Sequence, residues 1–172
     1  CSLVLKPLAM TAIFRTFILI GNGGKKEIGS CTDTEVTIAD TYKGKPIKAI
    51  GDSAFANQTQ ITKIHIPDSI TTIGDKAFEG CTGLTEITIP SSVESIGSQI
   101  FRKCTSLNTV YYNSDREYVS GLSSGVFNVP SIKKVVFGGT EVPENALRDC
   151  SNVTDVVILD SVKYIRSYAF HN

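Results

Sequence analysis

The chain has 172 residues, 41% of them hydrophobic and none of them tryptophan, which is enough for one elongated domain and gives no reason to expect two. Its 17 basic residues balance 17 acidic ones and are scattered, so the electrostatic footprint of a nucleic-acid binder is missing.

The apolar opening from Leu3 to Ile20 is interrupted by Lys6, Pro7 and Arg15, which a membrane-spanning helix of about 20 apolar residues tolerates poorly. A signal peptide fits poorly, because Arg15 lies inside the apolar stretch and no small-x-small cleavage site follows. Residues 1–28 are instead expected to form an N-terminal segment with a capping hairpin. Phe17 to Ile20 would run out, Gly21-Asn22-Gly23-Gly24 would turn, and Lys25 to Ile28 would return. That glycine cluster reads as a turn rather than a phosphate cradle.

From residue 29 onward a repeat governs the chain. A first, loose unit holds Val36-x-Ile38, an inserted loop from Thr41 to Pro46, then Ile47 and Ile50-Gly51. Ala54-Phe55, Ala77-Phe78 and Ile100-Phe101 follow at a spacing of 23 residues. The clearest unit reads Ile73-Gly74-x-x-Ala77-Phe78-x-x-Cys81-x-x-Leu84-x-x-Ile87-x-Ile89-Pro90. Later units keep the phase through Phe127, Ala146-Leu147 and Ala169-Phe170. A period of this length marks stacked supersecondary units, none of which can bury its apolar face alone. About six units are expected over 29–172. The register places the next repeat cysteine one residue past Asn172, so the array reads as cut short at that end.

The block from Ile73 to Gly97 resembles the BspA-like leucine-rich repeats of microbial surface proteins, and the resemblance covers about residue 29 to the end. It implies a right-handed, β-rich coil stack with short parallel strands on a concave face. Cys31 to Phe55 resembles the unit that opens such arrays, with Ala39 where proline is usual. The resemblance further implies a secreted or cell-surface adhesion module whose partners are proteins, including host extracellular-matrix or cell-surface proteins.

Cys81, Cys104 and Cys150 each stand three residues after the repeat Phe or Leu, so phase explains them as small buried thiols. Zinc needs converging ligands, whereas a repeat displaces its cysteines along an axis, and no metal or cofactor is expected. Neither His65 nor His171 lies in a nucleophile motif, so no catalytic residue is assigned.

Side chains between the inward positions must align in columns across the concave face. One column holds Glu35, Lys63, Glu86, Thr109, Lys134 and Asp155, an alternating charge ladder. The next holds Thr37, His65, Thr88, Tyr111, Val136 and Val157, and Leu159 follows in a third beside them. Tyr111, Val136, Val157 and Leu159 would form an exposed apolar patch suited to protein binding, with His65, Thr88 and Lys134 on the same face. Asn113 to Gly125 lengthens one unit and is expected to bulge as a loop, making Arg116, Glu117 and Tyr118 secondary binding candidates. Two short glycosylation sequons, Asn57-Gln58-Thr59 and Asn152-Val153-Thr154, read as chance matches.

Three functions remain open at this point. A non-enzymatic protein-binding module leads; a structural spacer in a larger surface protein and an ancillary binding domain attached to an enzyme are the alternatives.

Overall fold

The structure, a computed structural model, describes residues 16–20, 24–28, 34–42, 44–122 and 125–171, with the backbone alone over 16–20 and 24–28. Cys1, Cys31 and the expected turn at 21–23 lie outside the described residues.

The chain winds as a β-solenoid, and each coil has a strand leg, a turn leg and a return leg. The strand legs are β3 (Glu35–Thr37), β6 (Lys63–His65), β8 (Glu86–Ile89), β10 (Thr109–Ser114), β11 (Lys134–Gly139) and β13 (Asp155–Ile158). β8, β10, β11 and β13 form one parallel sheet, while β3 and β6 pair separately. Alternation decides what each strand buries: along β10, Val110 and Tyr112 point inward and Tyr111 points out.

The return legs are β5 (Lys45–Ile50), β7 (Thr72–Ile73) and β9 (Ser95–Ile96), stacked in parallel, then β12 (Glu141–Val142) paired with β14 (Tyr164–Ile165). β4 (Thr41–Tyr42) folds back on β5. The expected hairpin is present as β1 (Thr16–Ile20) and β2 (Gly24–Ile28), and β1 runs antiparallel to β5 with Ile18 opposite Ile50. The backbone of the first return strand is therefore paired on both sides.

Turn legs are bonded along the axis as well. Phe55 N–H donates to Ala77 O at 2.7 Å, Phe78 N–H to Ile100 O at 3.0 Å and Leu147 N–H to Ala169 O at 2.7 Å. These bonds require a left-handed residue two positions before the repeat Phe or Leu. Ser53, Lys76, Gln99, Gly125, Asn145 and Tyr168 all have φ between 54° and 70° there. Five of the six carry a side chain in a conformation that costs a non-glycine residue about 1 kcal/mol, so the inter-coil bonds and packing outweigh that cost.

The core is a set of ladders along the axis. Phe55, Phe78 and Phe101 stack with ring centroids 5.6 and 5.8 Å apart. Ile64, Ile87, Val110 and Val135 are buried in their strands, as the repeat predicts. Val156 is the correction: it occupies the same inward position but is 42% exposed, because no described coil lies beyond it. Ile158, Ile165 and Phe170 are exposed for the same reason.

The three phased cysteines are free and buried. Cys81 donates its thiol to Phe55 O and Cys104 to Phe78 O, each at 3.0 Å and each to the preceding coil, while Cys150 donates to Arg148 O within its own coil at 3.5 Å. Desolvation pushes Cys81 up to about 12, and Cys104 and Cys150 up to about 11.

Candidate binding face

The strand register places the predicted columns side by side. Thr88 pairs with Tyr111, Tyr111 with Val136 and Val136 with Val157, so the second column is continuous over four strands. Lys134 reaches Asp155 at 3.1 Å and Lys63 reaches Glu86 at 3.6 Å, so the first column is a ladder of surface ion pairs. Each pair is partly exposed and contributes about 0–1 kcal/mol. Lys134 is thus held by its neighbour.

The apolar patch is smaller than the columns imply. Tyr111 is 37% exposed and Leu159 is 46% exposed, with Val157 half-buried beside them. Val136 is only 6% exposed, which corrects its expected place on the surface: it sits between Tyr111 and Val157, and their side chains flank it. Val136 therefore backs the patch instead of forming it. Leu159 leans over Gly138, where an added Cβ would come within 3.6 Å of its Cδ1.

The expected bulge at 113–125 is corrected too. After β10 the chain runs straight into a return leg: Ser120 pairs with Ser95, Ile96 N–H donates to Ser120 O at 2.8 Å, and Val119 and Leu122 are buried. Gly121 makes that leg possible, since with φ +83° any Cβ would sit 1.8 Å from Ile96 O. Arg116 is ion-paired to Glu94, and Glu117 lies 3.8 Å from Arg166, which is itself bonded to the buried Glu141 at 2.6 and 3.0 Å. Of the three loop candidates only Tyr118, 58% exposed, is displayed without an ion pair.

His65 and Thr88 come together at a feature that nothing in the repeat pattern signals. Between β6 and β8 the strand sheet opens. Elsewhere two N–H groups converge on one carbonyl of the preceding coil, as Asn108 and Thr109 do on Thr85 O at 2.9 and 3.4 Å. Across this seam β6 and β8 form no paired ladder, and of the two converging N–H groups only Thr85 N–H reaches Thr62 O, at 3.3 Å. One coil earlier Ile38 N–H reaches His65 O at 3.0 Å; its counterpart, Ile66 N–H, makes no such bond to Thr88. The return legs of the same coils stay paired, Thr72 with Ser95 and Ile73 with Ile96, so the stack opens on one face only. The result is a wedge-shaped crevice of about 330 Å³ whose walls include Lys63, His65, Ile66, Glu86 and Thr88.

Asn152 shows why one sequon is structural. Its Nδ2 donates to Phe127 O, Val129 O and Ile132 O, each at 2.9 Å, so the amide is committed to closing the previous coil and is not available for glycosyl transfer. Asn57 is exposed in a left-handed turn. Among the described residues, no three His, Cys, Asp or Glu side chains gather to hold a metal ion, and no helix is long and apolar enough to cross a membrane.

No curated protein matches the chain. A leucine-rich repeat protein from Eubacterium ventriosum is 27% identical and superposes over 81% of this chain and 43% of its own, with a TM-score of 0.58. A leucine rich cell surface protein from Faecalibacterium prausnitzii is 28% identical over 96% of this chain and 46% of its own, with a TM-score of 0.52. The chain thus spans less than half the length of either. A leucine-rich repeat protein of T. pallidum, 20% identical with a TM-score of 0.53 over 91% of this chain and 82% of its own, shares the fold. The BspA type leucine rich repeat region matches residues 44–172 in six copies, three-quarters of the sequence. The chain belongs to the BspA-type leucine-rich repeat family.

Proposed function

We propose that this domain is a non-enzymatic protein-binding module of a cell-surface or secreted protein, acting in adhesion through the open face of its strand sheet. The observation that carries the reading is the apolar patch made by the exposed Tyr111 and Leu159 with the half-buried Val157 on one parallel sheet, backed by the buried Val136. A tyrosine with aliphatic neighbours on a flat, preorganised surface suits a binding anchor, since little side-chain entropy remains to be lost. The cell-surface description carried by the Faecalibacterium relative supports the location. Extracellular-matrix and host cell-surface proteins are the partner class, and His65, Thr88 and Lys134 border the same surface.

The test is saturable capture of purified extracellular-matrix proteins on immobilised domain, compared with a Tyr111→Ser/Leu159→Ser variant. Loss of two such anchors should weaken capture by at least tenfold, about 1.4 kcal/mol or more, with an unchanged thermal melt. Capture that survives the double variant contradicts the patch. A face that captures none of the panel contradicts the adhesion reading and favours a spacer.

A further inference from the structure

The opening between β6 and β8 is not an accident of loop length, because both strands match the repeat in phase and their return legs, β7 and β9, remain bonded. Its chemistry is mixed. Lys63 supplies a cationic donor, Glu86 an anionic acceptor, Ile66 N–H a donor with no partner among the described residues, and Thr88 and His65 groups that can donate or accept.

Several ligand classes are excluded by this arrangement. A third strand inserted between β6 and β8 would need them roughly 9.6 Å apart, twice the ordinary strand spacing. The Thr85–Thr62 bond at 3.3 Å and the Lys63–Glu86 pair at 3.6 Å hold them closer than that. An anion entering the wedge meets Glu86, and a cation meets Lys63, so neither gains the full value of its opposite charge. An apolar ligand would strip water from the ion pair and from Ile66 N–H without replacing its hydrogen bonds.

We propose that the wedge between β6 and β8 is a saccharide subsite that takes adjacent hydroxyls of a neutral pyranose. Each hydroxyl both donates and accepts, so two neighbouring ones can span a Lys63–Glu86 pair, or Ile66 N–H and Thr88, without leaving any group unpaired. The imidazole of His65 is the aromatic face in the wall against which the C–H side of a sugar ring can lie. A volume of about 330 Å³ is at the small end of ligand sites and suits a sugar ring. This goes beyond the protein-binding reading and does not depend on it, because the groups involved lie on or directly after β6 and β8, whereas Val157 lies on β13 and Leu159 directly after it.

The test uses the whole chain, isotopically labelled and titrated with neutral methyl pyranosides, and separately with a short neutral oligosaccharide to distinguish a free sugar from a glycan chain end. The amides of Ile66 and Thr88 should shift saturably, with millimolar affinity for a monosaccharide, and the Ile66 amide should exchange more slowly with solvent. Replacing the exposed pair by Lys63→Met/Glu86→Gln should weaken that affinity roughly tenfold while the melt stays unchanged. Leu159→Ser should leave the saccharide shifts intact even where it abolishes protein capture. Absence of shifts with every sugar, shifts unaltered by the Lys63/Glu86 variant, or saturation by a short peptide instead would each overturn the subsite.

Discussion

The middle coils and the last coil carry the same residue types at the same repeat positions and have opposite fates. Val135 is fully buried and Val156 is 42% exposed; Phe78 is fully buried and Phe170 is 41% exposed; Ile73 is fully buried and Ile165 is 54% exposed. Hydropathy cannot account for these pairs. What differs is whether a described coil lies on both sides, so burial here is a property of adjacency, and stability should be a sum of interfaces between neighbours. The other end illustrates the same point, since β1 runs along the free edge of β5 and completes its backbone pairing.

The largest expected effect separates the two regions by one substitution type. Phe78→Ala removes the central ring of the Phe55–Phe78–Phe101 stack and should cost about 3–5 kcal/mol in denaturant unfolding. Phe170→Ala, with only an edge contact to Phe137, should cost about 1 kcal/mol or less. Equal costs would break the comparison.

A smaller effect comes from the thiols. An unfolded cysteine ionises near its ordinary value of 9.0, whereas the folded chain holds the Cys81 proton to about 12 and that of Cys104 to about 11. The folded state binds these protons more tightly, so this contribution is complete below about pH 9 and is lost as the pH rises toward 11 to 12. Melts recorded from pH 8 to 11 should show falling stability, and a Cys81→Ala/Cys104→Ala variant should flatten that slope. Labelling by a thiol reagent sharpens the contrast between regions: Cys150, the least buried of the three and the nearest to the last described coil, should react before Cys81 and Cys104. Simultaneous labelling of all three would mean the stack opens as one unit.

Much of this architecture was legible in the chain. Inward positions, open-face columns and the buried cysteine phase all follow from periodicity, because a solenoid repeats its environment wherever it repeats its spacing. The left-handed turn positions were not legible, since Ser53, Lys76, Gln99, Asn145 and Tyr168 share a place but no residue type. Their conformation is imposed by the bonds between coils. Arg116 and Glu117 looked like loop residues because an insertion in sequence need not bulge in space; Gly121 lets the extra length lie down as a return leg. The wedge was hidden for a related reason: Lys63–His65 and Glu86–Thr88 fit the repeat individually, and the opening belongs to the distance between them. Val136 differs from Tyr111 and Val157 in having an apolar neighbour on each side, which a single strand's pattern does not display.

Residue-resolved hydrogen exchange under native conditions tests the coil-by-coil account most directly. Amides of β8, β10 and β11 should be the best protected, protection should fall through β13 and β14, and Ile66 should exchange rapidly within an otherwise protected region. Uniform protection from β8 to β14, or an Ile66 amide as slow as that of Ile38, would contradict it.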